Sequence, residues 1–155
     1  MTFLLLKFVH VIGAIVLLGT GAGIAFFMLS AHLSRDVAHI ARTAAIVVTA
    51  DFLFTATTVL AQPVTGVLLA QEAGLPLSES WIVWSLALYG IAGAFWLPVV
   101  WMQMRMRDLA REAVRNETPL PSAYFRLFRM WFAFGFPGFG ATLAIVWIMI
   151  AKPNL

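Results

Sequence analysis

Four long runs of apolar residues dominate the sequence, and each is long enough to cross a lipid bilayer. The runs cover about 3–29, 44–70, 81–103 and 127–151, and the segments between them hold most of the charged residues. Because a bilayer core about 30 Å thick needs about 20 apolar residues in a helix, each run predicts a transmembrane helix. We therefore expect an all-α fold, an integral membrane four-helix bundle in which residues 1–155 form a single transmembrane domain.

The composition excludes a water-soluble fold and several classes of site. Hydrophobic residues make up 62% of the chain and charged residues 11%, and the mean hydropathy is +0.93. A soluble domain has about 45–50% apolar and about 25% charged residues. The chain has no cysteine, so disulfides and thiolate metal sites are excluded. The net charge of +3 comes from arginines beside the spans, so we predict contact with the lipid bilayer and no nucleic-acid partner.

The distribution of arginine predicts how the helices are oriented. The connections at 30–43 and 104–129 carry Arg residues, whereas the connection at 71–80 has two Glu residues and no Lys or Arg. Because positively charged loops stay on the cytoplasmic side, both termini should lie on the outer, periplasmic side. The first run is longer than the roughly 7–15-residue core of a cleaved signal peptide, so we expect it to be retained. We expect a multi-pass protein of the bacterial inner membrane.

His10 is the ionisable residue that most suggests a site inside the membrane, where such residues are costly. It lies about 10 Å below the outer end of the first span. Lys7 is one turn above it on the same face, and Gly13 and Ala14 are one turn below. A neutral histidine nitrogen can ligate a metal, and small neighbours would let a flat porphyrin approach the helix. The same spacing also fits a histidine that hydrogen-bonds a neighbouring helix while Lys7 reaches the headgroups.

The second span has further polar groups at about the depth of His10, in the outer half of the membrane. Gln62 and Pro63 interrupt it, and a proline there frees a backbone carbonyl for a ligand or a water. By depth, Gln62, Thr65, Trp84 and Trp147 share the outer layer with His10. This layer is the candidate site.

The inner half of the spans contains a second set of ionisable residues. Asp51 is expected to pair with Arg129, either as a structural ion pair or as part of a proton path. His32 is close enough to the inner end of the first span to face a cofactor on that side. Because 22 residues of helix separate it from His10, about 33 Å, the two cannot ligate one iron within a monomer.

Several motifs resemble known membrane families. The segments Lys7-Phe8-Val9-His10, Gln62-Pro63-Val64-Thr65-Gly66 and Trp96-Leu97-Pro98, with the stretch from Arg129 to Lys152-Pro153, resemble a bacterial family of four-span membrane proteins of unknown function. The Lys-x-x-His opening, a second histidine at the far end of that helix and a last helix ending in Lys-Pro are similar to the HemJ-type protoporphyrinogen oxidases. CopD-type copper-resistance proteins share a similar first-helix histidine. The resemblance implies that haem b is bound with His10 as the axial ligand of the iron and with Lys7 and Arg129 as polar partners.

Three hypotheses for the function follow. The first is a haem b-binding membrane redox or electron-transfer protein, a haem-dependent oxidoreductase that exchanges electrons with a quinone or a redox partner protein. The second is a small-solute or metal-ion permease subunit that uses Asp51, Gln62 and the kink in the second helix, and that requires a homodimer because four helices are few. The third is a non-catalytic membrane assembly protein. The site predicted for the first hypothesis comprises His10, Lys7, Gly13, Ala14, Gln62, Thr65, Trp84 and Arg129, with His32 and Asp51 as second-tier candidates.

Overall fold

A computed structural model of the chain describes residues 1–153, which form four long helices connected by short loops. The helices are α1 (Thr2–Ser34), α2 (Val37–Glu72), α3 (Ser80–Arg115) and α4 (Ser122–Ala151). Each is long and apolar enough to cross a membrane, and no strand occurs within the described range. The predicted all-α fold with four membrane-spanning helices is confirmed.

Both ends of the bundle have distinct loops. The end that holds the loops at 35–36 and 116–121 is called the arginine end, and the end that holds both termini and the loop at 73–79 is called the terminal end. At the arginine end, Arg35 adopts a left-handed conformation with φ 58° and terminates α1. Asp36 then caps α2 by accepting hydrogen bonds from the backbone N–H groups of Ala38 and His39. At the terminal end, the Lys152 ammonium lies 5.3 Å from the centre of the Trp81 ring.

The densest packing lies toward the arginine end. There α3 continues to Arg115, past its apolar run, and α2 and α4 begin before theirs. Small alanines on several helices let the backbones approach, while long side chains fill the space between them. The buried cluster consists of Ile24, Met28, Ala31, Ile40, Ala41, Ala44, Val47, Met102, Met106, Ala110, Tyr124, Phe128 and Trp131.

Most of the apolar surface of the four helices faces outward. In the most apolar part of each span, only between 6% and 28% of the residues are buried inside the protein. Large side chains such as Leu60 and Ile150 are 73% and 74% exposed. Water would make so large an apolar surface unfavourable, by about 25 cal/mol for each Å², whereas lipid tails accommodate it. The chain is therefore an integral, multi-pass membrane protein.

The spans contain four irregular points. In α2, Asp51–Ala56 forms a π-helical turn between the α-helical segments Val37–Ala50 and Thr57–Glu72. Such a turn accommodates an extra residue and rotates the following helix, and it is frequent at functional sites. The other three are prolines, each of which removes a backbone donor inside a helix: Pro63, Pro98 and Pro137.

Candidate functional site

His10 on α1 is held by a hydrogen bond to Thr65 on α2. Its Nδ1 lies 2.8 Å from Thr65 Oγ1. The Thr65 hydroxyl lies 2.8 Å from the Ala61 carbonyl of its own helix, which accepts the single hydroxyl proton. Thr65 Oγ1 is then an acceptor for a proton on Nδ1, and this tautomer leaves the Nε2 lone pair of His10 free. The half-buried imidazole therefore has a fixed orientation and one uncommitted nitrogen.

A second hydrogen bond joins the same two turns of α1 and α2. The Gln62 side-chain Nε2 donates to the backbone carbonyl of His10 at 2.9 Å. The amide reaches this position because Gly13 has no side chain, since a Cβ there would fall 2.2 Å from Gln62 Nε2. His10, Gln62 and Thr65, which the sequence placed in one layer by depth, are joined by these hydrogen bonds.

The glycines around His10 serve contact between helices. Gly13 was expected to leave room for a porphyrin, but Gln62 and Thr58 of α2 occupy the space beside it. Gly66 lies against the imidazole, where a Cβ would be 3.3 Å from His10 Cε1. Small residues thus let α1 and α2 approach closely, and the space beside Gly13 is filled by protein.

Pro63 creates an additional contact between α2 and α3. Because proline has no N–H, the Val59 carbonyl four residues earlier loses its helical donor. The Tyr89 hydroxyl of α3 donates to this carbonyl instead. The carbonyl that the sequence predicted to be available to a ligand is therefore used in packing the helices.

Asp51 is the centre of a buried polar network in the π-helical turn. The residue is only 4% exposed, and its Oδ1 accepts a hydrogen bond from Trp96 Nε1 at 3.3 Å. Gln103, in the amide orientation that satisfies both neighbours, donates to Asp51 Oδ2 at 3.2 Å and accepts from Trp131 Nε1 at 3.1 Å. The network links α2, α3 and α4 through neutral donors.

The predicted ion pair between Asp51 and Arg129 is not formed. Arg129 is exposed, and the described residues contain one ion pair, between Arg107 and Asp108. Neutral indole and amide groups meet the carboxylate in its place. Thr55 lies one turn after Asp51, is 6% exposed, and has its hydroxyl near the Asp51 carboxyl group. The π-helical turn therefore contains two buried polar groups that no cation accompanies.

Trp84, Lys7 and His32 make no hydrogen bond to His10 or Thr65 within residues 1–153. Trp84 is 52% exposed, and Lys7 is exposed near the terminal end. His32 stacks on Phe128, with ring centres 3.6 Å apart and planes within 6°, and its Nδ1 is 3.4 Å from the Tyr124 hydroxyl. One face of the His32 ring is thus covered by α4.

Two partners of Asp51, Trp96 and Gln103, could not be identified from the sequence. Trp96 lies deeper than the usual aromatic belt, and Gln103 is a polar residue at the end of an apolar run, but neither position by itself identifies a partner. The described residues contain no group of three or more His, Asp or Glu side chains that could hold a metal ion.

The chain matches one family model over nearly its whole length. Residues 4–153 match the model of a family described as Predicted integral membrane protein (DUF2269). Because the match covers almost the entire sequence, the chain belongs to this family, and the predicted membership in a membrane family of unknown function is confirmed. No curated protein and no solved structure matches the chain.

Proposed function

We propose that this member of the DUF2269 family of membrane proteins is a haem b-binding redox protein in which His10 ligates the iron. The observation that supports the proposal is the 2.8 Å contact between His10 Nδ1 and Thr65 Oγ1. Histidines that ligate metals usually donate their other ring N–H to a fixed acceptor, which sets the tautomer and the orientation of the ring. Thr65 supplies that acceptor to His10 from the neighbouring helix.

His10 could give one bond to a prosthetic group through Nε2, and the group would have to approach from a side other than the Gly13 face, which Gln62 and Thr58 fill. One imidazole with a free Nε2 is a suitable donor for haem iron. Lys7, exposed one turn toward the terminal end, would pair with a propionate. Arg129 is left out of the site because it is exposed on α4 near the arginine end.

The bound group would supply one-electron transfer, and the protein would set its position and surroundings. A quinone in the bilayer or a redox partner protein is the expected electron partner. With both termini outside, as the arginines indicate, His10 lies near the periplasmic face of a bacterial inner membrane. A second axial ligand would come from another molecule, such as a second copy in a homodimer.

The absorption spectrum of protein purified from haem-replete cells tests the proposal. We expect a Soret band that His10→Ala abolishes and that the matched exposed variant His39→Ala leaves unchanged. Thr65→Val should retain the haem with about 10–100-fold weaker affinity, because the ring loses its orienting acceptor. A colourless wild-type protein, or a Soret band unaffected by His10→Ala, would overturn the proposal.

A second candidate function rests on Asp51. A buried carboxylate without a cation, with the Thr55 hydroxyl close to it, is the kind of group that lines the path of a small solute or metal ion. Such a permease would require a homodimer to enclose a path. Flux in proteoliposomes that Asp51→Asn abolishes and His10→Ala leaves intact would favour this candidate, whereas a colourless protein without flux would favour an assembly role.

A further inference from the structure

A cleft separates the beginning of α2 from the last turns of α3 at the arginine end. Its volume is about 620 Å³. The residues that line it alternate between small apolar and charged side chains: Ala38, Ala41, Arg42, Ala45, Asp108, Arg111, Val114 and Arg115. The cleft lies at the opposite end of the bundle from His10 and shares no residue with that site.

The sequence explains why space remains there. Residues 38, 41, 42 and 45 lie on one face of α2, and three of these four are alanines, which are too short to fill the gap to α3. On α3, Asp108, Arg111 and Arg115 lie on one face at spacings of three and four residues. Three alanines and Arg42 form the α2 wall, and the long side chains of Arg111 and Arg115 lie on the α3 wall with Asp108 and Val114.

The charge in the cleft is predominantly positive. No carboxylate within the described residues lies at ion-pair distance from Arg42, Arg111 or Arg115. The Asp108 carboxylate is already paired with the Arg107 guanidinium, at 2.8 Å. Asp36 is near enough to Arg42 for that guanidinium to help lower its pKa, although its main partners are the backbone N–H groups of α2. The cleft therefore presents three guanidinium groups that an anion could bind.

A mostly apolar groove continues from this cleft along α2 toward the middle of the membrane. It has a volume of about 360 Å³ and begins at Ala45, the residue it shares with the cleft. Thr49 is the polar residue in its lining, and the hydroxyl is occupied by a 3.0 Å hydrogen bond to the Ala45 carbonyl. The groove extends about 14 Å, at 1.5 Å per residue. Its lining is Ala45, Ile46, Thr49, Ala50, Leu53 and Phe54.

We propose that the cleft and the groove together bind one anionic phospholipid of the bilayer. Arg42, Arg111 and Arg115 hold the phosphate, to which guanidinium groups can donate two parallel hydrogen bonds. An acyl chain lies in the groove between Ala45 and Phe54. Basic clefts between helices at the cytoplasmic surface suit such headgroups, and the apolar extension favours a lipid over a free phosphate.

Native mass spectrometry of the full-length protein, delipidated and titrated with phosphatidylglycerol in mixed micelles, tests the proposal. The cleft variant combines Arg42→Gln, Arg111→Gln and Arg115→Gln. The matched control combines Arg105→Gln, Arg126→Gln and Arg129→Gln, which removes the same charge from exposed positions outside the cleft. We expect affinity to fall about tenfold or more in the cleft variant and to stay within about twofold of wild type in the control.

A second variant keeps all charges and fills the groove instead. Ala45→Leu with Ala50→Leu should also weaken phosphatidylglycerol binding several-fold, while phosphatidylethanolamine with the same acyl chains should bind weakly to every form. Equal loss in the cleft variant and the control would overturn the proposal, because it would indicate non-specific charge. Equal competition by water-soluble glycerol phosphate would also overturn it, since the headgroup alone would then explain binding.

Discussion

The Tyr89 hydroxyl on α3 donates a hydrogen bond to the Val59 carbonyl on α2, the carbonyl that Pro63 leaves without a helical donor. An unpaired carbonyl is unfavourable in hydrocarbon, where no water can replace the missing partner. Tyr89 thus compensates for a proline on another helix. The pairing also joins α2 to α3 in the part of the bundle nearer the terminal end, outside the densest core.

We expect Tyr89→Phe to destabilise the protein by about 1–2 kcal/mol, because the substitution removes the hydroxyl and leaves the Val59 carbonyl unpaired. The free energy of unfolding in mixed detergent micelles measures the effect. Pro63→Ala supplies an N–H to the same carbonyl, so the cost of Tyr89→Phe should be smaller in that background. Equal costs in the two backgrounds would contradict this account of the contact.

Gln103→Leu should destabilise the protein by about 2 kcal/mol or more. The change removes the donor to Asp51 Oδ2 and the acceptor of Trp131 Nε1, and both groups are left buried. The same measurement of unfolding free energy applies. Gln71→Leu, at an exposed position of α2, is the matched control and should change stability by less than about 0.5 kcal/mol. A small effect of Gln103→Leu would show that the network does not contribute to stability.

Gly13→Ala should destabilise the contact between α1 and α2. The added Cβ would fall 2.2 Å from Gln62 Nε2, so the amide must leave the His10 carbonyl, at a cost of about 1 kcal/mol. Thermal unfolding in detergent measures the change. Gly19→Ala is the control, because no atom lies within 4 Å of a Cβ there, and alanine favours the helix. Similar melting temperatures for the two variants would argue against a close contact at Gly13.

The cap of α2 should titrate at unusually low pH. The His39 N–H, followed by the Ala38 N–H and the charges of Arg42 and His39, lowers the pKa of Asp36 below its ordinary value of 3.8. Because the pKa in the folded state is the lower one, the carboxylate stabilises the helix start fully above pH 3.8. That contribution is lost as pH falls from 3.8 through the folded pKa.

Backbone amide chemical shifts of Ala38 and His39, followed by NMR between neutral and acidic pH, measure this titration. The midpoint should lie below 3.8 in the wild type. Asp36→Ser keeps an oxygen that can cap the helix and removes the charge, so its amide shifts should not follow that titration. A wild-type midpoint at or above 3.8 would contradict the role of these hydrogen bonds.

The sequence by itself determined the four spans, because the hydrophobicity of 20 or more consecutive residues decides whether a segment is stable in lipid. It also indicated that His10, Gln62 and Thr65 share one layer, since the depth of a residue follows from its position along a straight helix. Their shared depth was therefore predictable from residue numbers, whereas the hydrogen bonds between them were not.

The tertiary structure decided which neighbours these residues have. Rotation of each helix about its axis, changed in α2 by the π-helical turn at Asp51–Ala56, brings Asp51 to Trp96 and Gln103 and leaves Arg129 exposed. Packing also places Gln62 in the space beside Gly13. It pairs the Tyr89 hydroxyl with the carbonyl that Pro63 leaves without a helical donor. The depth of a residue in the membrane follows from its position along its helix. The direction in which its side chain points depends on how all four helices pack, and no local run of sequence determines that packing.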